Sequence, residues 1–192
     1  MVGALEYYSD EQMVKQIETN LTGVLRVTKA FIPYFKERRD GLFITTTSIF
    51  GYSSCPQSSV YNATKWALEG WSESISYDLA LFNIGIKTVA PGGIKSNFIN
   101  AMQTVESKGY EPINDRMNEL IANGHLFSFS DVEDIAAVVY EAATDNKDQL
   151  RYIAGEDAVR TARERTEKGS EEFRKDMAQL LNLKPAFQNE KN

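Results

Sequence analysis

Tyr61 and Lys65 stand four residues apart in a stretch whose apolar residues recur at helical spacing, so both side chains leave one face of one helix. A phenol with a pKa of about 10 is too weakly acidic to serve as a base near neutrality. An ammonium one turn away favours the phenolate and lowers that value. Bringing it to about 7 takes roughly 4 kcal/mol, at about 1.4 kcal/mol per pKa unit. Tyr-x-x-x-Lys is therefore a spacing at which a proton can be passed to or from a substrate oxygen. Alone it is a weak signal, because nine tyrosines make a chance occurrence an even matter, and a surface pair on an amphipathic helix has the same pattern.

The elements around the pair raise its meaning. Gly41-Leu-Phe-Ile-Thr-Thr-Thr47 is β-branched and aromatic and reads as a strand buried on both faces. Ser48 follows it directly, thirteen residues before Tyr61, at the carboxyl end of the strand where ligands bind in open α/β sheets. An irregular loop from Ser48 to Ser58 leads into a helix from about Ser59 to Phe82, broken by Asn83 and Gly85. Ile86 to Ala90 is a second strand, stopped by Pro91-Gly92-Gly93, which opens the same rim again. Strand, helix, strand at this spacing is a βαβ unit, hence a parallel sheet and an α/β fold.

Upstream, Ser9 and Gln12 form a capping box that opens a helix running unbroken to about Lys36, where the charged run Lys36 to Asp40 is its solvated end. Downstream, 94–108 reads as loop or short helix and 112–122 as helix. Ser130 and Glu133 read as a capping box for a helix to about Thr144, Leu150 to Ala154 as a third strand, and 157–165 and 170–181 as two polar helices.

With Asn20-Leu-Thr-Gly23, Thr46-Thr-Ser48, Tyr61-Asn-Ala-Thr-Lys65 and Pro91-Gly-Gly-Ile-Lys-Ser96 in this order, the sequence resembles the short-chain dehydrogenase/reductase family. The resemblance covers essentially the whole chain and is strongest from about Ser9 to Phe98. It implies a Rossmann-like, doubly wound parallel sheet and a nicotinamide-dependent oxidoreductase interconverting a secondary alcohol and a carbonyl with NAD or NADP. Under it Tyr61 is the general acid/base, Lys65 lowers its pKa and binds the nicotinamide ribose, Ser48 polarises the substrate oxygen, and Asn20 holds a water leading from Lys65 to solvent. Pro91, Gly92 and Ile94 line the nicotinamide, with Ser96 near its carboxamide. Each has a plainer alternative: Asn20 a polar residue on an exposed turn, Ser48 a strand-end hydroxyl bonded to backbone, Ser96 a helix cap. Phe50, Tyr52, Cys55 and Phe98 fall at the family's substrate pocket and suggest a moderately apolar, lipid-like or steroid-like substrate. Packing of the loop on the core accounts for them equally. The two long helices match those that pair with a second subunit in the family, implying a homo-oligomer.

The family's Gly-rich turn, whose backbone N–H groups hold the pyrophosphate, has no counterpart here, and neither has the acidic or basic residue that selects NAD or NADP. Residues 1–192 therefore read as a single partial domain, the family fold after its fourth strand, with a substrate loop at about 94–125 and a frayed tail at 186–192. The expectation is a truncated reading frame. The alternative function is a catalytically inactive fragment serving at most as an oligomerisation module.

Other classes are excluded by composition. A net charge of −6 argues against nucleic acid or an anionic membrane as partner. No run approaches the roughly 18 apolar residues of a membrane helix. One cysteine, Cys55, forms no internal disulfide, which points to a reducing, cytoplasmic setting. One histidine, His125, and one cysteine build no zinc site of usual composition. A serine hydrolase lacks both its Gly-x-Ser-x-Gly elbow and a second histidine.

Overall fold

Ser9 starts the first helix as its sequence requires. In the computed structural model, which describes residues 1–184, Ser9 Oγ accepts from the Gln12 N–H at 3.2 Å and Gln12 Oε1 accepts from the Ser9 N–H at 3.0 Å. Helix α1 spans Asp10–Ile17 and passes through a π-helical turn, Glu18–Thr22, into α2, Gly23–Arg38. The hydrophobic pattern predicted one unbroken α-helix here. The wider turn is closed by the Gly23 N–H donating to the Glu18 carbonyl, and a Cβ at Gly23 would stand 3.1 Å from that oxygen. One extra residue in a turn rotates the side chains beyond it, and Asn20 sits at its centre. Arg39, with φ of 50°, ends α2 in the left-handed region.

Strand β1 is Gly41–Thr46, followed by a 3₁₀ turn, Ile49–Gly51, and the long helix α3, Ser59–Ala80. Strand β2, Ile84–Pro91, reaches further at both ends than its apolar core implied. A short α4, Phe98–Ala101, and α5, Glu111–Ala122, precede α6, Val132–Thr144. Then come β3, Arg151–Ala154, α7, Glu156–Lys168, and α8, Ser170–Leu180. The Ser130–Glu133 capping box does not form. Asp131 is the N-cap of α6 without a side-chain bond. The Ser130 backbone is committed elsewhere: its N–H donates to the Gly93 carbonyl and its carbonyl accepts from the Lys95 N–H, both at 3.0 Å.

The three strands are parallel in the order β1-β2-β3, with Thr46 opposite Val89 and Thr88 opposite Arg151. Alternation along β2 sends Ile84 and Ile86 to one face, where they bury against Leu79, Ile75 and Trp71 of α3 and Ile32 and Phe35 of α2. Val89 goes to the other face and packs with Ile135 and Ala142 of α6 and with Tyr152 and Ala154 of β3. A sheet covered by helices on both faces is the doubly wound α/β arrangement that the family resemblance implied, and its parallel strands are those the βαβ spacing required. Each such Ile, Leu or Val contributes about 1.5–3 kcal/mol when fully buried. The stretch 94–125 is tied to the N-terminal residues by a bridge between Val2 and Thr104. The tail 186–192, expected to fray, lies outside the described residues. Among the described residues no helix is long and apolar enough to cross a membrane.

Candidate active site

The carboxyl ends of β1 and β2 and the first turns of α3 converge on Tyr61. Ser48, buried just past the end of β1, lies near enough to the phenol for its hydroxyl to favour the ionised form of Tyr61. Its Oγ also accepts from the Phe50 N–H at 3.1 Å, so it caps the 3₁₀ turn while facing Tyr61. The Lys65 Nζ stands 5.6 Å from the centroid of the Tyr61 ring and donates to the Thr46 carbonyl at 3.2 Å. Asn20 reaches across from the π turn, donating to Thr64 Oγ1 at 3.3 Å, and Thr64 in turn donates to the Tyr61 carbonyl at 2.7 Å. Asn20 and Tyr61 share the lining of a cleft of about 170 Å³ with Gln16, Phe98 and Met102.

The second rim is held from behind. Gly92 N–H donates to the Ala154 carbonyl at 3.0 Å, and Gly93 N–H donates to Asp157 Oδ2 at 2.8 Å. A Cβ on Gly92 would stand 2.0 Å from Asp157 Oδ1, so only glycine lets that buried carboxylate sit against the turn. Ser96 is exposed, and its Oγ accepts from the Phe98 N–H at 3.3 Å, a local turn just ahead of α4.

Aromatic rings flank the phenol on both sides. Tyr61 lies 6.4 Å from Phe98 and 6.2 Å, edge-on, from Phe50, while Phe50 lies 6.0 Å from Phe127 and Phe127 6.0 Å from Phe129. Behind Phe50 a smaller cavity is lined by Cys55, Met117, Leu126 and Met177, and burial pushes the Cys55 thiol up to about 12.

The electrostatics run against the simple expectation for Tyr61. Burial raises its pKa above the usual 10, and the nearby Ser48 hydroxyl offsets this only in part. Burial also draws the Lys65 ammonium down to about 8, with the Glu69 carboxylate opposing. With Nζ turned to the Thr46 carbonyl, the phenol is neutral near pH 7 and is a proton donor in this state.

A family profile described as short chain dehydrogenase matches residues 1–107, more than half of the chain. The chain belongs to the short-chain dehydrogenase family. An uncharacterised oxidoreductase of Schizosaccharomyces pombe is 31% identical over 157 residues, covering 81% of this chain and 66% of that protein. A 3-ketodihydrosphingosine reductase of Bacteroides thetaiotaomicron is 33% identical over 131 residues, covering 68% of the chain and 46% of that protein. A short-chain dehydrogenase from Streptomyces avermitilis superposes with a TM-score of 0.75 at 26% identity, over 93% of this chain and 64% of its own. The chain thus spans just under two thirds, or less, of the relatives it matches.

Within this short-chain dehydrogenase, Ser48, Tyr61, Lys65 and Asn20 come together, with Phe50 and Phe98 against the phenol. Pro91 is buried at the end of β2, and Ser96 stands at the start of α4. Three residues that position this site escaped the reading of the sequence. Asn62 donates to the Phe50 and Ser53 carbonyls at 3.0 and 2.8 Å and so fastens the Ser48–Ser58 loop to α3. Asp157 holds the Gly92–Gly93 turn. Glu69 lies buried one turn beyond Lys65. Only Glu69 left a signal, a carboxylate four residues beyond Lys65 and eight beyond Tyr61, in line with both on one helix face.

Proposed function

We propose that this chain interconverts a secondary alcohol and a carbonyl on an apolar substrate with a nicotinamide dinucleotide. Tyr61 exchanges the proton at the substrate oxygen, Ser48 hydrogen-bonds that oxygen, and Lys65 sets the charge beside the phenol. The observation that carries this reading is the closeness of the Ser48 hydroxyl to the Tyr61 phenol, one from a strand end and one from a helix start, with Tyr61 lining a cleft. Because the phenol is held protonated, its resting role is that of general acid toward a carbonyl. The aromatic series Phe98, Tyr61, Phe50 and Phe127 favours an apolar, lipid-like substrate, as does the likeness to the 3-ketodihydrosphingosine reductase.

The residues fit the nicotinamide half of the cofactor. An ammonium carries three donors, and Lys65 spends one on the Thr46 carbonyl, which leaves two for ribose hydroxyls. The backbone of Pro91, Gly92 and Ile94 and the Ser96 hydroxyl are the groups assigned to the ring and its carboxamide. When bound, the nicotinamide supplies or removes the hydride. The pyrophosphate half finds no Gly-rich helix start in this sequence, and neither NAD nor NADP is favoured.

Calorimetric titration with NADH and NADPH, followed by turnover of a panel of apolar ketones, tests the reading. Tyr61→Phe is expected to lower kcat by about 10²–10⁴-fold while leaving cofactor affinity near wild type. Turnover retained in that variant refutes the role of Tyr61.

A second reading has its own observation. Val14, Ile17, Val27, Phe31 and Tyr34 form an exposed apolar stripe along α1 and α2, with Tyr34 66% exposed. A second copy of the chain is the occupant we propose, either as part of the enzyme or, where neither cofactor binds at millimolar concentration, as the sole activity of an oligomerising module. Sedimentation of Val27→Glu against wild type decides whether this stripe is the interface.

A further inference from the structure

Tyr61, Lys65 and Glu69 follow one another at four-residue intervals, so one face of α3 presents a phenol, an ammonium and a carboxylate in turn. Glu69 is the deepest of the three, only 5% exposed. A carboxylate placed so far from water normally sits in direct contact with a cation. Here most of its bonds come from neutral hydroxyls: Thr47 Oγ1 donates to Oε1 at 2.5 Å, and Tyr52 and Thr88 donate to Oε2 at 2.8 and 3.1 Å. Arg151 Nε lies 3.4 Å away, but the same guanidinium is also paired with Glu73. Two carboxylates against one guanidinium leave a net negative charge one turn from Lys65.

The donors are informative by their places in the chain. Thr47 immediately precedes Ser48, and Tyr52 closes the 3₁₀ turn that Ser48 opens. Thr88 anchors the same carboxylate to the middle strand. Packing is tight enough that a Cβ on Gly51, inside that turn, would stand 2.9 Å from Glu69 Cγ.

We propose that Glu69 is a positioning residue of the active site, whose carboxylate fastens the Ser48-bearing turn to the helix face that carries Tyr61 and Lys65 and places a negative charge one helical turn from Lys65. This rests on the roles given above to Ser48, Tyr61 and Lys65. The burial that draws the Lys65 ammonium down to about 8 is opposed by Glu69. The other charged or titratable groups around the pair are Tyr61 and Glu73 on α3, Tyr52 in the turn, Arg151 on β3 and the Met1 ammonium across the cleft. Glu73, the one carboxylate among them, pairs with Arg151, whereas Thr47 and Tyr52 bond Glu69.

The test reads Lys65 directly. Lysines are dimethylated with ¹³C-formaldehyde, the Lys65 signal is assigned by its loss in Lys65→Arg, and it is titrated by NMR in wild type and Glu69→Gln. Glu69→Gln is expected to lower the Lys65 pKa by about one pH unit. It should also move the alkaline limb of the kcat profile to lower pH and cut kcat about tenfold, with little change in cofactor KM. Glu69→Asp, which keeps the charge, should restore most of the titration. An unchanged Lys65 titration in Glu69→Gln overturns the proposal. Should circular dichroism show Glu69→Gln unfolded, Thr47→Val and Tyr52→Phe replace it, since each keeps the charge and removes one tether. A fall in kcat with Lys65 titrating normally supports the tethering role, and wild-type kcat in both overturns it. The titration needs no turnover, so it separates this proposal from the roles tested by Tyr61→Phe.

Discussion

Two buried ionic clusters sit back to back across β2, and they are built differently. Lys87 and Thr88 are neighbours and therefore face opposite sides of the sheet, as do Arg151 and Tyr152 on β3. On the α6 side, Lys87 Nζ donates to Asp145 Oδ1 at 2.6 Å and to the Tyr152 hydroxyl at 3.1 Å, and that hydroxyl donates to Asp145 Oδ2 at 2.6 Å. Lys147 and Glu141 add an ion pair of 3.0 Å at its rim. Two cations and two carboxylates cancel. On the α3 side, Thr88 instead joins Thr47 and Tyr52 on Glu69, and Glu69, Glu73 and Arg151 do not cancel. The cluster that closes on itself touches nothing in the cleft. The cluster that retains charge lies under Ser48 and Lys65. Where a buried charge is left incompletely neutralised, its counterpart is found in the site it serves.

Removing one partner from each side breaks the comparison open. Lys87→Met strips the ammonium from a pair whose side chains are 9% and 8% exposed and leaves the buried carboxylate with the Tyr152 hydroxyl, the Lys147 N–H at 3.0 Å and the Lys147 ammonium at 3.5 Å. It should cost about 3 kcal/mol in urea unfolding. Thr88→Val, nearly isosteric and one residue along, removes one of three hydroxyls from Glu69 and should cost only about 1 kcal/mol. Equal losses would mean that the two clusters are held in the same way after all.

The sequence made one side of this legible and not the other. The βαβ order, the parallel sheet and the meeting of Ser48 with Tyr61 followed from Gly41 to Pro91, because hydrophobic period and strand-end position are local properties. The π turn at Asn20 was invisible, since Gly23 and Glu18 look like ordinary helix residues until their five-residue bond is formed. The Ser130 box failed for a related reason: the local pattern was right, but Gly93 and Lys95 claimed the Ser130 backbone across 35 or more residues. The raised pKa of Tyr61 likewise depends on how deeply the phenol is buried, with the Ser48 hydroxyl opposing. Glu69, Asn62 and Asp157 act through partners 7 to 82 residues away (151 − 69 = 82), and no local pattern names those partners.

The smallest effect expected is also the most diagnostic of the two designs. The Lys87 and Tyr152 hydrogen bonds hold the Asp145 carboxyl well below the usual aspartate value of 3.8. A group depressed on folding contributes stability that is complete above its unfolded value and is lost as pH falls through the folded one. The α6-side cluster should therefore begin to weaken below about pH 4, and Asp145→Asn should remove that part of the acid loss. For Lys87, burial pulls the ammonium down, but its bonds to Asp145 and Tyr152 outweigh this and raise it above 10.5. Its contribution is complete below that value and is lost only as pH climbs beyond it. Urea midpoints at pH 7 and pH 3 are the measurement: the difference between them should shrink in Asp145→Asn and persist in Thr88→Val. A difference that persists undiminished in Asp145→Asn would place the acid-sensitive carboxyl outside this cluster.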